Sequence, residues 1–210
     1  GNFTLSDTAA TVTGLIVDLP ATHLAIGDIS ASYSSLKTIT GDIIDSPVSL
    51  LVLPGSYATP MDFAAFAPEL ADVDARADIE IDLSGTINDL TLDRLDITAY
   101  SENVWIRGNG KITGLAKGAD NLHVDINRLN ISAGADDINA IAGFFTTLPA
   151  ATKTLIAGTG HVNLLGDLTA SRREIGFNGS IITDPGNVDI DMVAVLPREH
   201  SPLQLQGTIE

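Results

Sequence analysis

Four histidines, His23, His123, His161 and His200, are the side chains best suited to ligate a metal or move a proton near neutral pH. No two of them stand at HxH or HExxH spacing, which would bring both onto one strand or helix face around an ion. They read as surface or strand-edge histidines. The acids Asp72 and Asp74, followed by Asp78, Glu80 and Asp82, invite a calcium reading. An EF-hand loop needs glycine at its sixth position and glutamate at its twelfth. Counted from Asp72, those places hold Ala77 and Leu83. From Asp78 onward the acids alternate with isoleucines, as the wet face of a strand would. Gly108-Asn109-Gly110-Lys111 lacks the rest of a phosphate-binding loop, and Gly158-Thr159-Gly160 leads into a strand pattern rather than a helix. No GxSxG elbow occurs. Carboxylates from distant strands can still meet, as in glycosidases. Such sites add aromatic platforms, however, and the chain has only Trp105, Tyr33, Tyr57 and Tyr100 besides its phenylalanines. The sequence therefore predicts no catalytic residue, no metal, no cofactor and no enzymatic activity.

The elements that would carry any site are strands. Ile79, Ile81, Leu83 and Ile87 share one parity, with Asp78, Glu80 and Asp82 on the other. Leu90 and Leu92 follow, the phase slips at Asp93-Arg94, and Leu95, Ile97 and Ala99 resume it. Val104, Ile106 and Ile112 continue the pattern, then Leu122, Val124 and Ile126. A second slip at Asn127-Arg128 leads to Leu129 and Ile131. Each slip predicts a bulge, because an uncorrected one-residue shift would turn every following side chain to the wrong face. Val162 and Leu164, Ile175, Phe177 and Ile181, Val188, Ile190 and Met192, and Leu203 and Leu205 extend the alternation to the end. Short links such as Ser101-Glu102-Asn103, Lys117-Gly118-Ala119-Asp120, Ser171-Arg172-Arg173 and Asp184-Pro185-Gly186-Asn187 suit hairpins. They force sequential antiparallel pairing, because a parallel crossover needs far more chain.

Two helical inserts interrupt the strands, near 60–71 and near 136–157. The first has Pro60 just inside its start. The second spaces Ile138, Ile141, Phe144 and Phe145 on a helical stripe and restarts after Pro149. After each insert comes a strand with a glycine in it: Ile81-Asp82-Leu83-Ser84-Gly85-Thr86-Ile87, then Val162-Asn163-Leu164-Leu165-Gly166-Asp167-Leu168. This reads as a long-period repeat whose glycines bend a curved sheet.

The bulk composition agrees. Hydrophobic residues make up 44% and aromatics 5%, so the apolar surface is aliphatic. A formal net charge of −16 argues against nucleic acid and against anionic headgroups as electrostatic partners. With no cysteine, disulfides and thiolate sites are absent. No run reaches the length of a membrane-spanning helix, and no leader peptide is visible. Both termini read as the inside of strands, which predicts a piece excised from a longer protein. The division expected is a β segment over 1–54 and a repetitive segment over 55–210, forming one continuous domain.

The succession from Pro60-Met61-Asp62-Phe63 through Pro68-Glu69-Leu70 into Ile81-x-Leu83-x-Gly85 is distinctive in order. It continues with Asp89-Leu90-x-Leu92-x-x-Leu95, then Asn103-Val104-x-Ile106-x-Gly108-x-Gly110-x-Ile112, then Asn121-Leu122-x-Val124-x-Ile126-x-x-Leu129. It resembles the repetitive periplasmic part of TamB-type proteins (translocation and assembly module, inner-membrane component) of the AsmA-like superfamily, in their Bacteroidetes branch. The resemblance covers 55–210 and is looser over 1–54. It implies a periplasmic piece of an inner-membrane-anchored protein whose sheet curls into an elongated, apolar-lined trough, a β-taco. It further implies glycerophospholipid transport toward the outer membrane, and outer-membrane protein assembly with an Omp85-type barrel partner.

Alternation alone suits an open trough and a closed, dry β-sandwich equally; the resemblance favours the trough. The expected fold is thus a mainly β antiparallel meander with short helical inserts. The expected lining for acyl chains is Ile81, Leu83, Leu92, Leu95, Ile97, Val104, Ile106, Val124, Ile126, Ile131, Val162 and Leu164. Phe63, Phe66, Phe144 and Phe145 would plug or edge it from the inserts. Two other functions compete: a module that captures outer-membrane strands by edge pairing, and a carbohydrate-binding or adhesin sandwich.

Overall fold

A computed structural model describes residues 1–35, 44–65, 70–71, 75–99, 103–145, 149–195 and 204–209, with the backbone alone at 119, 141–145, 204–205 and 209. The chain is mainly β, 65% strand and 15% helical. Its strands are β1 (Asn2–Leu5), β2 (Ala9–Leu19), β3 (Thr22–Ser32), β4 (Pro47–Val52), β5 (Tyr57–Ala58), β6 (Ala77–Thr86) and β7 (Asp89–Ala99). There follow β8 (Val104–Thr113), β9 (His123–Gly134), β10 (His161–Ser171), β11 (Glu174–Thr183), β12 (Gly186–Val195) and β13 (Gln204–Ile209). All belong to one antiparallel sheet in near-sequential order, with the short β5 bridging β3 and β6 beside the main path. Among the described residues no second sheet lies over this one. Because β4 pairs with β6, the sheet runs unbroken through the expected boundary at residue 54.

Directly opposed residues on antiparallel strands share a face. Register therefore converts the alternation into rows that cross the sheet. One row runs through Phe3, Val12, Ile29, Leu50, Leu83 and Leu92. It continues through Gly110, Ile126, Leu168, Phe177, Met192 and Gly207. A neighbouring row runs from Leu5 and Ala10 through Gly85, Leu90, Ile112 and Val124 to Ala194 and Leu205. Between them on the other face lies a polar row that includes Thr11, Ser30, Ser49, Ser84, Thr91 and Lys111.

Both expected phase slips are bulges. Register shifts between Leu92 and Leu95 on β7, and between Arg107 and Asn109 on β8 where it faces the slip in β9. Arg128 takes a left-handed φ of 52°, rare for a residue with a side chain, and its N–H donates to Asp167 Oδ1 at 2.9 Å.

The sheet bends toward its apolar face. At Gly110 a Cβ would fall inside the envelope of the Asp125 carbonyl oxygen, on the adjacent strand. Gly166 and Gly179 face each other on β10 and β11, and a Cβ on either would strike the backbone of the other strand. Strand backbones come this near the Cβ direction only where the sheet folds toward that side, and glycine alone permits it.

The inserts leave from one rim of the sheet. The first holds a short 3₁₀ helix over Pro60–Phe63; i→i+3 bonds close it, from Asp62 N to Thr59 O and from Ala64 N to Met61 O. Asp62 accepts a hydrogen bond from Ala21 N at 2.9 Å. Buried Thr59 donates to Ala21 O through its hydroxyl and to Thr22 Oγ1 through its N–H, which latches the turn to the β2–β3 hairpin. The second insert is a helical hairpin, α1 (Ala135–Phe145) and α2 (Ala150–Thr159). Pro149 precedes α2, and Gly160 ends it with φ 66°. The N–H of Ala135 donates to Gly160 O at 2.8 Å, so the hairpin closes on itself at the rim.

Candidate functional site

Among the described residues, which do not include His200, those that could do acid–base or metal chemistry do not assemble. His23 pairs with Asp18 at 2.6 Å and His123 with Asp125 at 3.2 Å, both on the surface. Ser132 Oγ lies 2.6 Å from His161 Nε2, but Ser132 is only 2% exposed. Asp184 accepts from the His161 backbone N–H rather than from the imidazole. Among the described residues no group of acids and histidines is placed to hold a metal. Asp72 and Asp74 lie outside them.

The apolar face is the extended feature. Its deepest part is a crease across β7–β9, where Leu92, Ile126 and Leu129 are buried together. Gly110 is the register partner of both Leu92 and Ile126, which flank it on either side. Having no side chain, it lets those two close over it. Ile81, Leu83, Leu95, Ile106, Val124, Ile131, Leu164 and Leu168 pack around this cluster and remain half-buried. Of the other expected lining residues, Ile97 and Val162 are half-buried and Val104 is buried, near the rim from which the helices leave. Away from the crease the same face opens to solvent: Phe3 is 66% exposed, Leu5 52%, Ile175 40% and Val188 38%.

The apolar face is thus a filled floor with open flanks. Its two cross-sheet rows contain only aliphatic residues, phenylalanine, methionine and glycine. Of the expected plugs, Phe63 sits half-buried in the 3₁₀ turn. Phe66 lies outside the described residues, as do the side chains of Phe144 and Phe145.

The opposite face carries the charge. Arg76 pairs with Asp78 at 3.1 Å, Arg94 with Glu80 at 2.8 Å and Arg107 with Asp96 at 3.0 Å. Such exposed pairs contribute at most about 1 kcal/mol each; their main effect is to keep this face wet. The lining expected from the sequence lies on β6–β10 and does not extend to the flanks. The signal was present, because the alternation of Val48, Leu50 and Val52 and of Ile175, Phe177 and Ile181 matches that of the central strands. No described helix is long and apolar enough to cross a membrane. Comparison with protein-family models, with curated proteins and with solved structures finds no match.

Proposed function

We propose that the chain is a non-enzymatic segment of an envelope-spanning protein whose apolar face carries glycerophospholipid acyl chains between inner and outer membrane. The observation that carries this is the pair of apolar rows crossing the main sheet path without one polar side chain, with no second sheet over them among the described residues. Acyl chains are flexible and featureless, so aliphatic side chains suit them without specific polar partners. Dimensions agree. Strands of 10 to 12 residues span roughly 35 Å, while the acyl chains of one leaflet span about 15 Å, half the hydrocarbon core. A lipid lying along a strand would leave its headgroup at a rim. The acidic opposite face keeps such a carrier soluble and away from anionic bilayer surfaces.

The resemblance to TamB-type proteins extends this proposal to a periplasmic location, an inner-membrane anchor on the parent protein, and an Omp85-type barrel at the far end. A second reading draws on a different observation. Among the described residues β1 and β13 each pair on one side only, so either edge could take an unfolded outer-membrane strand by β-augmentation.

Mass spectrometry of lipids co-purifying with the folded chain separates the two. A conduit retains phospholipid and ignores peptides that end in an outer-membrane strand signal. An assembly module binds those peptides and carries no acyl chain, which is the result that would overturn the first reading.

A further inference from the structure

The polar face holds a cavity of about 590 Å³ near the helix-bearing rim, lined by Arg76, Asp78, Glu80, Thr98, Trp105 and Arg107, with Gly55 at its edge. Its size lies within the range of small-ligand sites. Register builds it: Asp78, Thr98 and Trp105 are directly opposed on β6, β7 and β8. One step along the strands, Glu80, Asp96 and Arg107 form the next row. The Arg76 guanidinium lies 3.6 Å above the Tyr57 ring, and that of Arg107 lies 4.9 Å from the Trp105 ring.

Charge narrows what the cavity can take. Each arginine around it is already matched with a carboxylate: Arg76 with Asp78, Arg94 with Glu80, and Arg107 with Asp96. In the lining itself a bare anion would meet two carboxylates, Asp78 and Glu80, and a bare cation two guanidinium groups, Arg76 and Arg107, so neither is favoured. The pairings are also incomplete. Among the described residues Arg107 uses only Nε, toward Asp96, which leaves both of its terminal nitrogens to donate. The Thr98 hydroxyl and the Trp105 indole N–H have no hydrogen-bond partner among the described residues. The site therefore offers donors and acceptors side by side, next to one flat aromatic surface. Adjacent sugar hydroxyls each donate and accept, and carboxylates and guanidinium groups bind such pairs bidentately. The C–H face of a pyranose packs on an indole ring.

We propose that this cavity is a binding site for an uncharged saccharide unit, one or two pyranose rings in size. It is independent of the acyl-chain surface, because Trp105 and its neighbour Ile106 point to opposite faces of β8. Trp105 is the only tryptophan in the chain, so intrinsic fluorescence reports this site alone. The experiment titrates the folded chain with cellobiose, chitobiose and maltose, and with inorganic phosphate as control. At least one disaccharide should give a saturable change in Trp105 emission at millimolar concentration, and phosphate none. Thr98→Val and Arg107→Ala should each weaken that binding about tenfold, the effect of one lost hydrogen bond to a polar or charged partner. Circular dichroism checks that both variants fold, and Thr98→Val carries the test if Arg107→Ala does not. The proposal is overturned if no disaccharide produces saturation, if phosphate matches it, or if a folded variant binds as the parent does. Lipid retention should be unchanged in Thr98→Val, so this result and the acyl-chain result stand or fall separately.

Discussion

The crease over β7–β9 and the flanks at β1–β2 and β11–β12 share one face and one residue pattern, yet their burial differs sharply. Leu92 is 5% exposed and Leu129 4%, while Leu5 is 52% exposed and Ile175 40%. The cause is curvature rather than composition. Around Gly110 the sheet folds sharply enough for side chains two strands apart to meet, and they become a core. Where the sheet opens, equivalent side chains have only their strand neighbours to touch. The crease therefore supplies stability, and the flanks, with the half-buried floor between them, leave apolar surface open to solvent.

That division can be broken from the crease outward. Gly110→Val should have the largest effect, about 3 kcal/mol or more of lost stability in urea unfolding, because its side chain must displace the β9 backbone. Gly186→Ala, which meets open space, should stay within about 0.5 kcal/mol. Leu92→Ala and Ile126→Ala should each cost about 2–5 kcal/mol by leaving a cavity in the packed cluster. At the half-buried floor, Ile106→Asp should keep the β spectrum in circular dichroism and abolish lipid flux in the full-length parent. Val124→Asp should do the same; normal flux in either variant would remove the conduit. On the flank, Ile175→Ala should shift stability by less than about 0.5 kcal/mol while reducing retained lipid. The smallest effect belongs to the other face. Arg94→Ala, which breaks an exposed pair, should cost less than about 1 kcal/mol and leave lipid retention unchanged.

Much of the fold was legible because one-sided burial leaves a period-two trace. The slips at Asp93-Arg94 and Asn127-Arg128 marked bulges for the same reason: each restores the apolar parity that an extra residue would reverse. Gly166 was legible as a bend, since a strand interior has little other use for glycine. The first insert was legible as helical from Pro60, but local pattern does not show that Asp62 and Thr59 are committed to the β2–β3 hairpin. The split between crease and flank was hidden as well, since it depends on how far the sheet closes over Gly110. The polar-face cavity escaped for a topological reason. Arg76, Asp78, Thr98, Trp105 and Arg107 meet only through the register of β6, β7 and β8, and a count of aromatic residues argued against any such platform.

Photocrosslinking with a phospholipid that carries a diazirine in its acyl chain tests the division of faces most directly. After irradiation and proteolysis, mass spectrometry locates each adduct by residue. An acyl-bearing trough places the label on apolar-face residues such as Leu164, Ile175, Ile181 and Val188, with none on Ser180 or Asp189 of the same strands. Label spread equally over both faces, or no label at all on the folded chain, would contradict it.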